Sequence, residues 1–306
     1  MQLETFKEIE KNIEKWKELY ISNKKAQNYS NHTIRAYSRI LDDFSEFCYL
    51  ERIEIKDEYL SFKDMNKYFI NNFITYLKDE KHLSDKSIEF YINVIKNFFK
   101  FISEENEDAI DILTPIEKIS IKVKQTEAAH YTNEEIPKIE SYLRELIRKS
   151  KVLSKIRNAT AILFLIYTGL RAKELLELKK EDIVLEDDMF KIVVNGKGEK
   201  ERIIYIDKDM ILNEYEKLLE YLDTDKIFDI AYITLYNYNR RLCQKLNIKH
   251  KGLHAYRHYL AIKAVENDIN LQTISEWLGH SNITITSKYY AKANEKAKKG
   301  MAKKLV

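Results

Sequence analysis

Two prolines and six glycines in 306 residues leave this chain almost without the residues that interrupt regular backbone. Proline removes a backbone donor and clashes with the preceding helical turn, while glycine carries chain entropy that a helix has to remove. So few of either predicts long, unbroken helices. The length, about twice that of a common single domain, predicts two cores rather than one.

Apolar residues at three- and four-residue spacing fill the first third. Leu3, Phe6, Ile9, Ile13, Trp16 and Leu19 form one stripe, and Ile34, Tyr37, Leu41, Phe44 and Phe47 form a second behind a Ser30 cap. Phe69, Phe73, Tyr76 and Leu77 follow an Asp64 cap, and Ile88, Tyr91, Ile92, Ile95, Phe98, Phe99 and Ile102 follow Ser84. Four such faces are enough to close a small helical bundle. Around Thr114-Pro115 the periodicity fades, and Glu117–His130 carries no helical stripe. A new helix opens at Thr132-Asn133-Glu134-Glu135, with the Ser/Thr-x-x-Glu spacing of a capping box. The expected organisation is a helical domain over 1–115, a linker over 116–130 and a second domain over 131–306.

Hydrophobic residues at 44% and charged ones at 33% fit a globular chain. There is no apolar run of about 18 residues to span a bilayer and no signal segment at Met1–Tyr20, so the expectation is a cytoplasmic protein without a membrane partner. A net charge of +3 neither demands nor excludes nucleic acid, because a basic face can be balanced elsewhere. Cys48 and Cys243 match no metal or redox spacing and are expected as buried free thiols.

The chemistry-bearing residues lie in the second part. The apolar helical run Ala159–Tyr167 breaks at Thr168-Gly169-Leu170, after which Arg171 and Glu174 stand three residues apart on one helical face. The carboxylate can hold the guanidinium while its other donors reach a phosphate oxygen; alone, the same spacing describes an ordinary surface ion pair. Phe190–Val194 and Arg202–Ile206 read as strands joined by Asn195-Gly196-Lys197-Gly198, a hairpin signal with a lysine at its tip. That ammonium can give a proton to a leaving alkoxide or be a plain turn lysine.

In a helix, His254-Ala255-Tyr256-Arg257-His258 sets His254 and Arg257 on one face. His254 and His258 also have zinc-binding spacing, but the position between them lacks a glutamate and Arg257 would repel a cation, so no metal site is expected and His258 reads as a packing residue. Leu278-Gly279-His280 places a histidine at a helix junction, and Tyr289 follows nine residues later, with Tyr290 beside it as a rival.

The order Thr168-Gly169-Leu170-Arg171-Ala172-Lys173-Glu174-Leu175, Gly196-Lys197-Gly198, His254-x-x-Arg257-His258, Leu278-Gly279-His280 and Tyr289 closely resembles the tyrosine recombinase/integrase family, in an Xer-like form. The resemblance implies a mainly α fold with a small β-hairpin or sheet: a two-domain, C-shaped DNA clamp made of a helical core-binding domain and a catalytic domain. Carried over position by position, Arg171, Lys197, His254, Arg257 and His280 resemble the phosphate-activating residues and Tyr289 the nucleophile, with Glu174 in support. Ala172-Lys173 and Tyr256 depart from the more usual Ile-Ser and Leu.

The resemblance further implies cleavage and rejoining of double-stranded DNA through a 3′-phosphotyrosyl bond, without metal or other cofactor, in a homotetramer that joins two sites through a Holliday junction. Paired half-sites, an accessory or partner recombinase, and a lysine-rich C-terminal tail docking on a neighbouring protomer belong to the same picture. Arg35, Lys86, Lys200 and Arg202 are candidate DNA contacts. The short N-terminal part favours chromosome or plasmid dimer resolution over a mobile-element integrase. Two other readings are a catalytically silent DNA-binding scaffold and a type IB topoisomerase acting as a monomer.

Overall fold

The computed structural model describes residues 9–54, 65–106, 109, 111–123, 129–195 and 201–279. The chain divides into two compact units, Met1–Thr126 and Glu127–Val306, each with its own hydrophobic core. Among the described residues, no helix is long and apolar enough to cross a membrane.

The first unit packs α1 (Ile9–Ala26), α2 (Asn31–Glu54), α3 (Lys67–Asp79), α4 (Asp85–Glu105) and the short α5 (Thr114–Glu117). Ser30 caps α2 through the Thr33 amide, as the sequence predicts, and Ser84, which the sequence places just ahead of α4, caps it through the Ser87 amide. The cap of α3 is Asn66, whose side chain accepts from the Tyr68 and Phe69 amides; the predicted cap, Asp64, lies outside the described residues. All seven residues of the α4 stripe are buried.

In α1 the buried face runs through Ile13, Trp16 and Tyr20, while Leu19, predicted on that face, is 48% exposed. Steps of three and four from Ile13 reach residues 16 and 20, and residue 19 falls about 100° from its neighbour around the helix. Aromatic rings dominate this core: Phe44 meets Phe73 at 5.0 Å and 74°, and Tyr20 meets Phe98 at 5.5 Å and 67°, both in the edge-to-face geometry that ring quadrupoles prefer. Ile112, Ile116 and Ile119 are buried in the same core, so the first unit extends past residue 115 into the stretch read as linker.

The second unit is built around α7 (Leu153–Thr168), buried along most of its length. Against it pack α6 (Glu135–Lys149), α9 (Leu212–Leu219), α10 (Tyr232–Lys245) and α11 (His254–Glu266). The capping box ahead of α6 forms as predicted, with the Thr132 amide donating to Glu135 Oε2 at 2.8 Å and the Glu135 amide to Thr132 Oγ1 at 3.3 Å. Cys48 and Cys243 are buried free thiols.

The sheet has three antiparallel strands in the order β1 (Ile183–Glu186), β2 (Met189–Asn195) and β3 (Glu201–Asp207). The predicted hairpin is β2–β3, with Asn195 opposite Glu201 and Ile192 opposite Ile204. β1 is absent from the sequence reading: its turn is only Asp187-Asp188, with Asp187 at φ +54°, a backbone region aspartate tolerates better than most residues. On β3, residues 202, 204 and 206 share the inward face, and Ile204 and Ile206 are buried there.

Two left-handed glycines end helices at the site. Gly169 stops α7 at φ +64°, and Gly279 stops α12 (Leu271–Leu278) at φ +65°. A Cβ on Gly169 would lie 2.8 Å from Leu260 Cδ2 and 2.9 Å from Leu278 Cδ2, so close packing and backbone conformation both require glycine there.

Candidate active site

The last carbonyls of an α-helix have no partner within the helix and form its negative end. At the end of α12 three arginines from three different elements supply the missing donors. Arg202 on β3 donates from Nε to the Trp277 oxygen at 2.9 Å, Arg257 on α11 from Nη2 to the Leu278 oxygen at 2.5 Å, and Arg171 from Nη2 to the Gly279 oxygen at 2.9 Å. Arg257 also donates from Nη1 to the Gly169 oxygen at 3.0 Å, tying the end of α7 to the end of α12. The Trp277 indole closes the junction by donating to the Thr168 oxygen at 2.9 Å.

Arg171 stands immediately before α8 (Ala172–Glu177), and the predicted pairing with Glu174 is present. Its Nη1 donates to Glu174 Oε1 at 2.7 Å and its backbone amide to Oε2 at 2.8 Å. Arg202 reaches the same carboxylate, Nη1 to Oε1 at 3.2 Å and Nη2 to Oε2 at 2.7 Å. Burial alone would push the Glu174 carboxyl up, but the hydrogen bonds from Arg202 and from the Arg171 amide and guanidinium outweigh it and hold the group below the ordinary carboxylate value.

The arginines differ in access. Arg257 is 1% exposed, whereas the Arg171 side chain is 42% exposed, so one guanidinium lies beneath the surface and the other reaches it. His254 opens α11 on the same face as Arg257, as its spacing predicts, and its residue surface remains exposed. Desolvation on the ring's inner side lowers its pKa, and the nearby Arg257 and Arg171 charges lower it further, against a smaller opposing effect of Glu174. At neutral pH the imidazole is therefore uncharged and can both donate and accept. His258 packs against it edge to face at 4.7 Å.

The sign of the resulting pH dependence follows from those shifts. The unfolded chain protonates His254 near the ordinary 6.5 and the folded chain only at lower pH, so stability is full above 6.5 and falls as pH drops through 6.5 toward the folded value. His254→Gln is expected to flatten the acid slope of urea-unfolding stability between about pH 7.5 and 5.5. An unchanged slope would assign the effect to another group.

Arg202, predicted as a DNA contact, does not face outward. All three of its guanidinium nitrogens are hydrogen-bonded inside the unit and its side chain is 11% exposed. Its place on the Ile204–Ile206 face is what turns it inward, and the apolar run Ile203–Ile206 hid that face in the sequence. Arg35 and Lys86 are exposed on α2 and α4 of the first unit. Lys197, Lys200, His280, Tyr289 and Tyr290 lie outside the described residues.

Tyr256 is also explained by its surroundings. Its hydroxyl donates to Asn239 Oδ1 at 2.7 Å, Asn239 Nδ2 donates to the Tyr131 hydroxyl at 3.1 Å, and the two tyrosine rings stack at 4.5 Å. A fully buried tyrosine needs such a partner, and α10 provides it.

The end of α12 thus gathers two guanidiniums with an imidazole close to both charges, a set of groups whose chemistry suits the stabilisation of negative charge. Residues 131–296 match the family described as "Phage integrase family", and residues 12–105 match the "Phage integrase SAM-like domain". The tyrosine recombinase XerA of Saccharolobus solfataricus is 29% identical over 267 residues, covering 85% of this chain and 82% of the relative. Among solved structures, the fold resembles the XerH site-specific recombinase in its post-cleavage complex with palindromic difH substrate (TM-score 0.77, 22% identity, 91% of this chain and 82% of the other). It also resembles a lambda integrase tetramer bound to a Holliday junction (TM-score 0.67, 17% identity, 90% and 76%). The chain belongs to the phage integrase family: it is a tyrosine recombinase, Xer-like along most of its length.

Proposed function

We propose that the cationic cluster at the end of α12 binds the scissile phosphate of a double-stranded DNA site. The observation that carries this reading is the convergence of Arg171 and Arg257 on one helix end, with His254 close to both charges. Arg171 and Arg257 stabilise the equatorial oxygens as their negative charge grows, and His254 adds a hydrogen bond or moves a proton. Tyr289 gives its phenolic proton to the neutral His254 imidazole, directly or through water, and attacks the phosphorus, forming a 3′-phosphotyrosyl bond as the bond to the 5′-oxygen breaks. Lys197 gives that oxygen its proton, and His280 completes the donors around the phosphate. Attack by the 5′-hydroxyl of a partner strand reverses the step, releases Tyr289 and rejoins DNA without an external energy source. Phosphoryl transfer of this kind needs positioning and charge, which these side chains supply.

Residues 131–306 form the catalytic domain in this reading, and the helical unit before them also contacts DNA, with Arg35 and Lys86 as phosphate contacts. Strand exchange proceeds in a homotetramer on two sites through a Holliday junction, supported by the likeness to the lambda integrase tetramer, and resolves chromosome or plasmid dimers in the cytoplasm. Selection of bound duplexes from a randomised library, followed by adduct mapping, tests the reading. A two-half-site duplex joined covalently through Tyr289 is the expected result, and a bound duplex that never yields an adduct would leave only a DNA-binding scaffold.

A largely apolar groove of about 570 Å³, lined by Ile166, Tyr205, Tyr259, Ala264, Ile274 and Trp277 among others, lies beside α11 and α12. We assign it to the C-terminal segment of a neighbouring copy, in which Ala293, Ala297, Met301 and Leu305 recur at four-residue spacing. Deleting 298–306 is expected to leave single-site DNA binding intact while weakening paired-site assembly on native gels; undiminished assembly would reject the assignment.

A further inference from the structure

The family motifs leave Arg202 without a role, and its geometry defines one. Glu174 carries one negative charge on two oxygens, each accepting from both sides: Oε1 from Arg171 Nη1 and Arg202 Nη1, Oε2 from the Arg171 amide and Arg202 Nη2. A carboxylate and a single arginine would instead form a neutral fork-to-fork pair, using two guanidinium nitrogens of that arginine. Here the two guanidiniums and one carboxylate sum to one positive charge. Arg171 meets Glu174 through Nη1 alone among its side-chain nitrogens and keeps Nη2 on the Gly279 oxygen.

Arg202 is locked in this position from its other side. Its Nε is held by the Trp277 oxygen, and a Cβ on Gly279 would come within 3.0 Å of its Nη1, so the guanidinium packs directly on the left-handed glycine that ends α12. The residue therefore connects β3, the Arg171–Glu174 pair and the backbone next to position 280.

We infer that Arg202 is a positioning residue that takes up the second half of the Glu174 carboxylate and so keeps Arg171 net cationic and turned toward the phosphate. The inference rests on the reading of Arg171 as a phosphate ligand. It predicts an unusual interaction between substitutions. With Arg202 removed, Glu174 closes on Arg171 and neutralises it; with both Arg202 and Glu174 made neutral, Arg171 regains its charge.

The test uses the full chain and a duplex recovered by selection with the wild-type protein, nicked in one strand so that cleavage traps the adduct. For Arg202→Gln, binding of that duplex is expected within ~2-fold of wild type, while single-turnover adduct formation falls ~10²-fold, the scale of a misplaced catalytic group. Adding Glu174→Gln to Arg202→Gln should recover adduct formation by ~10-fold or more over Arg202→Gln alone, and Arg202→Lys should remain within ~10-fold of wild type because it keeps the charge. A double variant no better than Arg202→Gln, or an Arg202→Lys as inactive as Arg202→Gln, would overturn the inference. A crystal structure of Arg202→Gln without DNA is a second arm. Both Glu174 oxygens on the Arg171 guanidinium is the expected geometry, and an unchanged single contact rejects the role even if the wild-type protein forms no adduct and the proposed function itself fails.

Discussion

Arg257→Ala is expected to lose both stability and cleavage, with the two losses separable. The side chain is 1% exposed and donates to the Gly169 and Leu278 oxygens, so truncation leaves two buried carbonyls without these donors and a cavity where the guanidinium stood. At about 1–3 kcal/mol for each unsatisfied group, the second unit should lose roughly 2–6 kcal/mol in urea unfolding. Loss of one preorganised cationic donor to the transition state should lower single-turnover cleavage by ~10²–10³-fold at saturating protein. Arg257→Lys separates the two effects: it restores charge, but an ammonium lacks the planar fork that reaches two carbonyls and a phosphate together. It should recover part of the stability and little of the rate. Full cleavage by a stably folded Arg257→Lys protein would remove Arg257 from the proposed machinery.

Tyr289→Phe is expected to give the largest chemical loss while leaving DNA binding in place. Phenylalanine keeps the ring and removes only the oxygen that would bond to phosphorus. Without a nucleophile there is no covalent intermediate, and adduct formation should fall by ~10⁴-fold or more, the scale seen when a nucleophile is deleted elsewhere. Tyr290→Phe is the internal control and should still form the adduct. A phenol with an ordinary pKa near about 10 needs cationic neighbours to ionise as it attacks, so the adduct rate in Arg171 and Arg257 variants should rise more steeply with pH than in wild type. An adduct from Tyr289→Phe that disappears in Tyr290→Phe would move the nucleophile by one residue.

Much of this architecture was legible before any coordinates. The α4 stripe is continuous and behaves as written, and the Thr132–Glu135 capping box forms with both of its hydrogen bonds. The ordering of Arg171, His254 and Arg257 on helix starts and faces also follows from spacing, because helical period alone sets which residues share a side. Less legible were features whose signal is weak or ambiguous. Leu19 and Tyr20 are both apolar enough for the core, and only the angular step around α1 selects Tyr20. β1 is four residues long and has little pattern to read. Ile116 and Ile119 join the first core from a stretch too short for periodicity to register.

Residue type and spacing by themselves determined the helices, the family and the candidate catalytic set. The tertiary structure decided what each arginine does. Arg202, a candidate DNA contact by sequence, is turned inward onto Glu174 and the end of α12; Arg257 is buried, and Arg171 is exposed. The physical reason is that their partners are the backbone oxygens of Trp277, Leu278 and Gly279, together with one shared carboxylate. Every residue carries a backbone oxygen, so residue identity does not mark these acceptors, and they become a binding site for cations only when α12 ends and three other elements are packed against that end.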